Sequence, residues 1–414
     1  MLRMEEALDK ILSAVQPLEV VEIPLRGASG MFLAEDVFAD IDLPPFDNSA
    51  VDGYAVRAED TRGASPDSPV LLKEIGDIAA GAVGGAEVTE GAAYRIMTGA
   101  PLPAGSNSVV MVEDTRRGER TVEGVVLAAI LEAAAPEMHV RRAGEDLRVG
   151  AKVLSLGARV RPQEVAMLAT MGRASVQVVR RPRVAVFSTG DELVDIETGA
   201  VPALGKIRDS NRYMLAAMVE EAGATLHSIG HLPDDLEATV AALKETGDSR
   251  SGADVIVTAG GVSMGDRDFV KPAVERLGAL DLWKVAIKPG KPLAFGRIGS
   301  TLIFGLPGNP ISAMVTFELF VRPALKKMAG GSGDQLTRRR VTAVVQDEIA
   351  HTPGRREYVR AITTFRNGLY EASASDKQGS AMLQSAVAAN SLLVVPEESA
   401  GIAPGMSAEV LLLE

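Results

Sequence analysis

Residues 258–271 read TAGGVSMGDRDFVK and directly follow the apolar run ADVIV at 253–257. Glycines at 260, 261 and 265 let backbone N–H groups approach an anion, and an apolar helical pattern begins near Asp268. Asp266 and Asp268 stand in the same loop, where their charge would repel a phosphate unless a divalent cation lay between them. The stretch therefore predicts a buried strand, an anion-binding loop with oxygen ligands for a cation such as Mg²⁺, and a helix.

The flanking sequence repeats this alternation of strand and helix. Apolar strand patterns occur in VAVFSTG (184–190), TLHSIGHL (225–232), DVIVTAG (254–260) and LWKVAIKPG (282–290), and a hairpin pattern in PLAFGRIGSTLIFGLPG (292–308). Helical patterns occur in SNRYMLAAMVEEAG (210–223), DDLEATVAALKETG (234–247), DFVKPAVERLG (268–278) and NPISAMVTFELFVRPALKKM (309–328). Such a series predicts a mostly parallel sheet that is covered by helices on both faces.

The sequence on either side of this region has a different texture. MEEALDKILSAV (4–15) has helical periodicity, and short β-rich runs separated by Gly, Pro and Asp extend from Val20 to about Arg180. A single helical stretch, RPQEVAMLATMG (161–172), interrupts them, and β-rich runs return beyond Gly330. We therefore expect a multidomain α/β plus β protein, with one or two small β-rich domains before the α/β domain and a separate β domain after it.

Composition excludes several classes of partner. The chain has 414 residues, a net charge of −12 and only 4% aromatic residues, so a nucleic-acid surface is not expected. An uninterrupted apolar span of ~20 residues, as a membrane helix requires, does not occur in the sequence. We expect a soluble cytoplasmic protein.

The metal-binding residue types are also restricted. The absence of cysteine excludes disulfides, thiolate zinc sites and a cysteine nucleophile. His227 and His231 would share one face of a strand, where a structural pair is favoured over a metal site. Any metal is therefore expected to be a hard cation that binds oxygen.

Ligands of parallel α/β sheets bind at the carboxyl ends of the strands. The predicted loops there are STGDEL (188–193), LPDD (232–235), AGGVSMGDRD (259–268), IKPGKP (287–292) and GLPGNP (305–310). Each loop alone can be explained as a turn or a helix cap, but five such loops at one edge predict a site for a phosphorylated ligand, a cation and a second anion. Asp191, Asp235, Lys288 and Lys291 are among the charged residues of these loops.

Two polar motifs occur in the N-terminal half, PPFDNSAVDGYAV (44–56) and RRAGEDLRVG (141–150). Hairpin turns at Asp52-Gly53 and at residues 144–146 are their simplest explanation. Spacing alone gives them no further role.

Taken together and in order, these motifs resemble a known family. PPFDNSAVDGYAV, RIMTGAPLP, RRAGEDLRVG, FSTGDELV, DSNRYML, GGVSMGDRD, WKVAIKPGKPLAFG and LPGNPISA are similar to the motifs of the MoeA-type molybdopterin molybdenumtransferases and of the gephyrin E domain. The resemblance covers nearly the whole chain and is looser in the C-terminal domain.

The resemblance implies a fold of four domains. A central three-layer αβα domain with a mostly parallel sheet binds the pterin nucleotide (1–18 and 178–328), and a small α+β domain comprises 19–43 and 147–177. A β-rich arm comprises 44–146, and a C-terminal β-barrel comprises 329–414. The family also implies a homodimer in which the arm of one subunit leans toward the α/β site of the other.

The resemblance further implies an activity. Family members insert molybdate into the dithiolene of adenylylated molybdopterin, release AMP and use Mg²⁺. The expected partners are adenylylated molybdopterin, molybdate and the molybdopterin adenylyltransferase. Molybdate and tungstate have nearly the same size and charge, so either anion fits this expectation.

Site residues are implied by motif position. The expected catalytic residues are Asp52, Asp146, Glu192, Asp234, Asp268, Lys284 and Lys288, of which Asp234, Asp268 and Glu192 would hold Mg²⁺. The expected binding residues are Thr98, Arg141, Thr189, Gly190, Gly260, Gly261, Ser263, Gly265, Pro307, Pro310, Arg356 and Ser380. GRREYVR and KQGSAML match the family pattern approximately, so Arg356, Arg360 and Ser380 rest on the weakest match.

Two other functions remain open at this point. A molybdopterin adenylyltransferase shares the α/β domain, but it lacks the long arm and the C-terminal barrel. A scaffold that binds the cofactor without turnover would be favoured by an adapter domain or a long linker, which the sequence does not contain.

Overall fold

A computed structural model describes residues 1–121, 124–199, 201–248, 252–261, 269–375 and 377–413. The chain divides into two compact units. The first unit comprises Met1–Glu35, Leu156–Ala169 and Arg173–Glu414, and the second comprises Asp36–Ser155 and Thr170–Gly172.

Seven of the eight α-helices of the described residues, α1 to α7, follow the predicted periodic segments. They are α1 (Met4–Ala14), α2 (Pro162–Thr170), α3 (Asn211–Glu221), α4 (Leu236–Asp248), α5 (Val270–Leu277), α6 (Pro310–Thr316), α7 (Arg322–Met328) and α8 (Leu383–Ala388). In α1 the side chains of Met4, Ala7 and Ile11 are buried, as expected for one apolar stripe of an amphipathic helix. None of the described helices is long and apolar enough to cross a membrane.

Strands of two residues and longer strands occur both before residue 180, in a first set, and after it, in a second set. The first set is β1 (Val20–Pro24), β2 (Phe32–Leu33), β3 (Val37–Phe38), β4 (Asn48–Ser49), β5 (Gly53–Val56), β6 (Val70–Ile78), β7 (Ala92–Ile96), β8 (Ser108–Met111), β9 (Thr115–Arg120), β10 (Val126–Ile130), β11 (Val140–Arg141), β12 (Lys152–Leu154) and β13 (Ser175–Val179). The second set is β14 (Arg183–Thr189), β15 (Leu193–Val194), β16 (Ile207–Arg208), β17 (Thr225–Leu232), β18 (Val255–Ala259), β19 (Ala279–Lys284), β20 (Ile287–Lys288), β21 (Pro292–Ile298), β22 (Thr301–Leu306), β23 (Arg340–Val345), β24 (Ile349–Ala350), β25 (Arg356–Arg366), β26 (Leu369–Ala374), β27 (Ser391–Val395), β28 (Gly401–Ile402) and β29 (Ser407–Leu412).

The central sheet of the first unit has the strand order β17-β14-β18-β22-β21-β19. β17, β14, β18 and β22 are parallel, whereas β21 is antiparallel to β22 and to β19. β19 consequently runs in the same direction as β22, so its carboxyl end lies at the same edge of the sheet. The turn between β21 and β22 confirms the predicted hairpin.

Helices cover both faces of this sheet. Val184 and Val186 pack on one face in a core with α1, α3, α6 and α7, whereas Ala185 and Phe187 pack on the other face with α4 and α5. Adjacent residues of a strand point to opposite faces, and both faces here are apolar. The predicted three-layer αβα architecture is confirmed.

The predicted long helix at 309–328 is interrupted. A π-helical turn, Phe317–Val321, separates α6 from α7, and all five of its side chains are buried. π-helical turns inside helices occur frequently near functional sites. Periodicity did not reveal this turn, because the apolar pattern continues through it.

The C-terminal part of the first unit forms a closed barrel. β25, β26, β23, β29 and β27 pair in this order, and β27 also pairs with β25. β20 extends this sheet by parallel pairing with β25. Through β20, the connection between β19 and β21 of the central sheet is hydrogen-bonded directly to the barrel.

A small antiparallel sheet, β1-β13-β2, and the two-stranded sheets β15-β16 and β24-β28 also lie in the first unit. In the second unit, the sheet β8-β5-β7-β6-β10-β9 encloses two apolar clusters, one with Tyr54 and Leu72 and one with Tyr94 and Ile96. The multidomain α/β plus β fold class is therefore confirmed, and the four domain boundaries given above stay predictions.

Candidate active site at the carboxyl edge of the central sheet

A cavity of about 970 Å³ lies at the carboxyl ends of the central strands. Residues from the loops after β14, β17, β18 and β22 form one wall, and residues of β20 and of the barrel form the other wall. We call this the strand-tip cavity. Its predicted site residues are Thr189, Gly190, Glu192, Asp234, Gly260, Gly261, Lys288, Pro307 and Ser380.

Glycines bring the backbones of neighbouring strand-tip loops close together. Gly260 has a φ of +93°, and a Cβ there would lie 2.6 Å from Thr189 Oγ1. A Cβ on Gly308 would lie 3.7 Å from the Cα of Gly260. Asn211 holds the same loop by donating a hydrogen bond from Nδ2 to the carbonyl oxygen of Gly308, at 2.6 Å. The glycine positions predicted for close approach of backbone to a ligand are therefore also needed for the packing of these loops.

The strand-tip wall carries acidic groups. Asp191, Glu192 and Asp234 all line it. The backbone N–H of Asp191 donates to Asp234 Oδ2 at 3.4 Å, which joins the loop after β14 to the loop after β17. Lys206 Nζ donates to the carbonyl oxygen of Asp191 at 2.6 Å and places one positive charge beside them.

The opposite wall carries cations that the barrel positions. Lys288 Nζ lies 2.9 Å from Glu357 Oε1, and the two residues face each other on paired strands β20 and β25. Glu357 is 7% exposed, and its Oε2 is buried without a hydrogen-bond partner among the described residues. An acceptor left unpaired at this depth is available to a donor on a bound ligand. Burial raises the pKa of the neighbouring Tyr358 to about 12, so its hydroxyl stays protonated.

Arg360 is the largest fully buried side chain of the chain as described, at 1% exposure. Its Nε donates to Ser385 Oγ at 2.8 Å, and its Nη2 donates to the carbonyl oxygens of Lys377 and Gly379 at 2.9 and 3.2 Å. Burial lowers the pKa of Arg360 from its ordinary value. These bonds fix the loop that presents Ser380 to the strand-tip cavity, so Arg360 both lines the cavity and positions a predicted binding residue.

The donor chemistry of the strand-tip wall suits a hard cation. Carboxylate oxygens of Glu192 and Asp234 are the ligand type that Mg²⁺ prefers, with water and phosphate completing its shell. Among the described residues, no group of three or more His, Asp and Glu side chains is arranged to hold a metal ion. His227 and His231 lie on the exposed face of β17, and His231 Nδ1 is 3.4 Å from Ser188 Oγ.

Some predicted residues of the first unit do not line the strand-tip cavity. Lys284 is an exposed residue at the end of β19, and Pro310 begins α6 beside a small adjacent hollow. Arg356 forms ion pairs with Glu5 and with Glu397, the latter at 3.1 Å. Ser263, Gly265, Asp266 and Asp268 lie outside the described residues, so their predicted roles stay predictions.

The second unit brings two predicted residues into contact. Asp52 Oδ1 accepts hydrogen bonds from the backbone N–H and the hydroxyl of Thr98, both at 2.7 Å. The bond from the backbone N–H has the larger effect and the bond from the hydroxyl the smaller one, and both hold the pKa of the Asp52 carboxyl below its usual value. Arg141 and Asp146 are both exposed. Arg141 lies on β11, opposite Asn48 on β4.

Several residues of the strand-tip cavity were not identified from the sequence. They are Lys206, Asn309, Ser312, Arg355, Glu357, Tyr358 and Gln378. Gln378 Oε1 accepts from the backbone N–H of Arg360, at 3.0 Å. Glu357 could have been found from its place next to the predicted Arg356. Adjacent residues of a strand point to opposite faces, so if Arg356 does not face the cavity, Glu357 does.

Fold and site together define a multidomain α/β plus β protein whose strand-tip loops and barrel line one cavity that carries glycines, carboxylates and lysines. Profiles of the MoeA N-terminal region (domain I and II), a probable molybdopterin-binding domain and the MoeA C-terminal region (domain IV) match residues 2–172, 185–327 and 342–413. The chain belongs to the molybdopterin molybdenumtransferase family, whose members are enzymes of the transferase class.

Individual relatives extend over almost the full chain. Molybdopterin molybdenumtransferase 2 of Mycobacterium tuberculosis is 40% identical, over 97% of this chain and 96% of the relative. Molybdopterin molybdenumtransferase of Bacillus subtilis is 36% identical, over 99% of this chain and 93% of the relative. The crystal structure of the molybdopterin biosynthesis moeA protein from Pyrococcus horikoshii OT3 matches with a TM-score of 0.80 and 33% identity, over 100% of both chains.

Proposed function

We propose that this enzyme inserts molybdenum from molybdate into the dithiolene of adenylylated molybdopterin, with release of AMP. The observation that carries the proposal is the strand-tip cavity itself. Its two walls offer a glycine-lined surface with acidic groups on one side and cations on the other. A phosphorylated pterin and a separate oxyanion require such a pair of surfaces.

The barrel wall would bind molybdate. Lys288 supplies a charged donor, and Ser380 supplies a hydroxyl on the loop that Arg360 holds. Charged donors give the stronger hydrogen bonds to an oxyanion, and fixed donors place it with little loss of freedom. The carboxylate of Glu357 keeps Lys288 against this wall and would also accept a hydrogen bond from a ligand.

The strand-tip wall would bind the phosphate-bearing end of the pterin nucleotide. Gly260 and Gly261 have positive φ values, so their backbone is open to a phosphate without an intervening Cβ. Glu192 and Asp234 would hold Mg²⁺, together with Asp268 of the sequence motif. The cation would neutralise negative charge on the phosphoanhydride when bound.

The proposal also includes a cytoplasmic homodimer. The family resemblance supports it, since Asp52, Thr98, Arg141 and Asp146 belong to motifs that the resemblance assigns to a shared site. Light scattering of the purified full chain measures the assembly directly. A mass of two chains is expected, and a single chain at micromolar concentration would remove the dimer from the proposal.

Incubation with adenylylated molybdopterin, Mg²⁺ and molybdate tests the reaction. AMP release that depends on molybdate is expected. ATP consumption with unmodified molybdopterin would instead identify an adenylyltransferase, and binding without turnover would identify a scaffold.

A further inference from the structure

A second cavity of the first unit, of about 610 Å³, is lined by six cationic residues. We call it the basic cavity. Arg322 and Lys326 come from α7, Arg159 precedes α2, and Arg338, Arg339 and Arg340 lead into β23. None of these residues lines the strand-tip cavity.

Lys326 is a buried cation without a partner. The residue is 6% exposed, and its Nζ makes no hydrogen bond or ion pair with the described residues. Burial, with the nearby charges of Arg322, Arg159 and Arg338, lowers the pKa of Lys326 to about 8. A buried charge without a partner costs stability, so packing alone does not account for a lysine here.

Arg322 lies one helical turn before Lys326 and therefore on the same face of α7. Its Nε and Nη1 are buried without hydrogen-bond partners among the described residues. The nearest carboxylate is Glu318 on the π-helical turn, 3.8 Å from Nε. Glu318 is already engaged by Arg338, which donates to both of its oxygens at 2.9 and 3.0 Å.

The rim of the basic cavity adds to this excess of positive charge. Neither Arg159 nor Arg339 has an acidic partner within the described part of the chain, whereas Arg340 pairs with Glu409 at 3.0 Å. Asp334 is the one acidic residue among those lining the cavity. The residues that line the basic cavity thus carry more positive charge than the one acidic lining residue can neutralise.

We infer that the basic cavity binds a tetrahedral oxyanion, either inorganic phosphate or the phosphate group of a nucleotide, between Arg322 and Lys326. An Arg fork and a Lys ammonium supply donors from two directions, which suits an anion with several equivalent oxygens better than a single acceptor. The volume of the basic cavity exceeds that of one oxyanion, so a larger group attached to the phosphate also fits. The inference does not depend on the proposed function.

Thermal unfolding of the full chain in a phosphate titration tests this site, with sodium chloride at equal ionic strength as the salt control. A ligand that binds only the folded state raises Tm as its concentration rises. Wild type is expected to gain Tm with phosphate. Lys326→Met is expected to have a higher Tm than wild type without phosphate and to lose the part of the gain that the basic cavity contributes, because the affinity of this cavity for phosphate falls roughly tenfold to hundredfold.

Two further variants sharpen the result. Arg339→Gln at the rim is expected to weaken phosphate binding only about twofold to threefold, because exposed charges are screened. Lys73→Met removes an exposed positive charge of the second unit and is expected to respond to phosphate as wild type does.

Adenosine 5′-monophosphate in place of phosphate distinguishes the two sources of the oxyanion. If adenosine 5′-monophosphate binds at least tenfold more tightly than phosphate and Lys326→Met loses this binding, the ligand is a nucleotide. If the two affinities are equal, the ligand is the free anion. An unchanged phosphate gain in Lys326→Met overturns the site. So does the absence of any gain in wild type, as expected if an acidic segment of another chain fills the cavity.

Discussion

In the strand-tip cavity Lys288 and the buried Arg360 have partners, whereas in the basic cavity Lys326 has none among the described residues and Arg322 has only a distant carboxylate, 3.8 Å from its Nε. Lys288 is held by Glu357, and Arg360 donates to carbonyl and hydroxyl oxygens. Two nitrogens of Arg322 are buried with no such acceptors among the described residues, and the Nζ of the 6% exposed Lys326 has none either. The first arrangement fixes donors in place before a ligand arrives, and the second leaves positive charge that a ligand would have to neutralise.

This difference predicts opposite effects of removing a cation. In the strand-tip cavity, removal leaves oxygens without donors and should cost both stability and activity. In the basic cavity, removal of Lys326 relieves an uncompensated charge and should increase stability while it weakens anion binding. The predictions below start with the largest expected effect.

Arg360→Ala should lower the free energy of unfolding by about 2–4 kcal/mol, because several buried oxygens lose a charged donor. It should also abolish AMP release, since the loop with Ser380 loses its support. Urea unfolding and the AMP assay measure the two effects. Arg366→Ala changes an exposed position on the same strand and should affect neither stability nor AMP release. If Arg360→Ala had the stability and activity of wild type, the loop with Ser380 would not depend on Arg360.

Lys288→Ala should weaken molybdate binding roughly tenfold to a hundredfold, as expected for the loss of a charged hydrogen bond to an oxyanion. Calorimetric titration of molybdate measures the affinity. Lys244→Ala on the exposed side of α4 provides a control of equal charge change. If both variants bind molybdate as wild type does, Lys288 does not contact the anion.

Lys326→Met should stabilise the phosphate-free protein by roughly 2 kcal/mol at pH 7. The folded-state pKa of Lys326 is lowered from 10.5 to about 8, so the folded state loses this proton at lower pH than the unfolded state does. The stability of wild type should therefore rise relative to Lys326→Met as the pH increases from about 8 to 10.5. Urea unfolding across this range measures the difference, and a constant difference would contradict a buried charged lysine.

Thr98→Val should have the smallest effect. It changes a residue outside both cavities that is hydrogen-bonded to the Asp52 carboxylate. The backbone N–H of Thr98 would still donate to Asp52, but the hydroxyl would not. The pKa of Asp52 should move part of the way back toward 3.8, with little change in Tm. An NMR titration of the Asp52 carboxyl measures this shift, and an unchanged pKa would show that the backbone bond alone sets it.

The central sheet and the strand-tip cavity could be predicted from the sequence because their signals are local. Strand periodicity and glycine-rich loops locate Thr189, Gly260 and Pro307 without knowledge of the remaining fold. Parallel strands then place the loops at one edge. Glu192, Asp234 and Lys288 follow from the same reasoning.

The remaining cavity residues depend on packing between distant segments. Glu357 reaches the strand-tip cavity because β25 pairs with β20, and Gln378 reaches it because its side chain bonds to the backbone of Arg360 on β25; periodicity encodes neither contact. The basic cavity joins residues near 159, 322–326 and 338–340, and in the sequence Arg322 and Lys326 resemble the ordinary polar face of a helix. The resemblance to a family located Ser380, although its motif is only approximate.

A crystal structure of the full chain with molybdate and an adenine nucleotide tests the central claim most directly. The account predicts molybdate within hydrogen-bond distance of Lys288 Nζ and Ser380, with the nucleotide phosphate against Gly260 and Gly261. Both ligands bound away from the strand-tip cavity would contradict it.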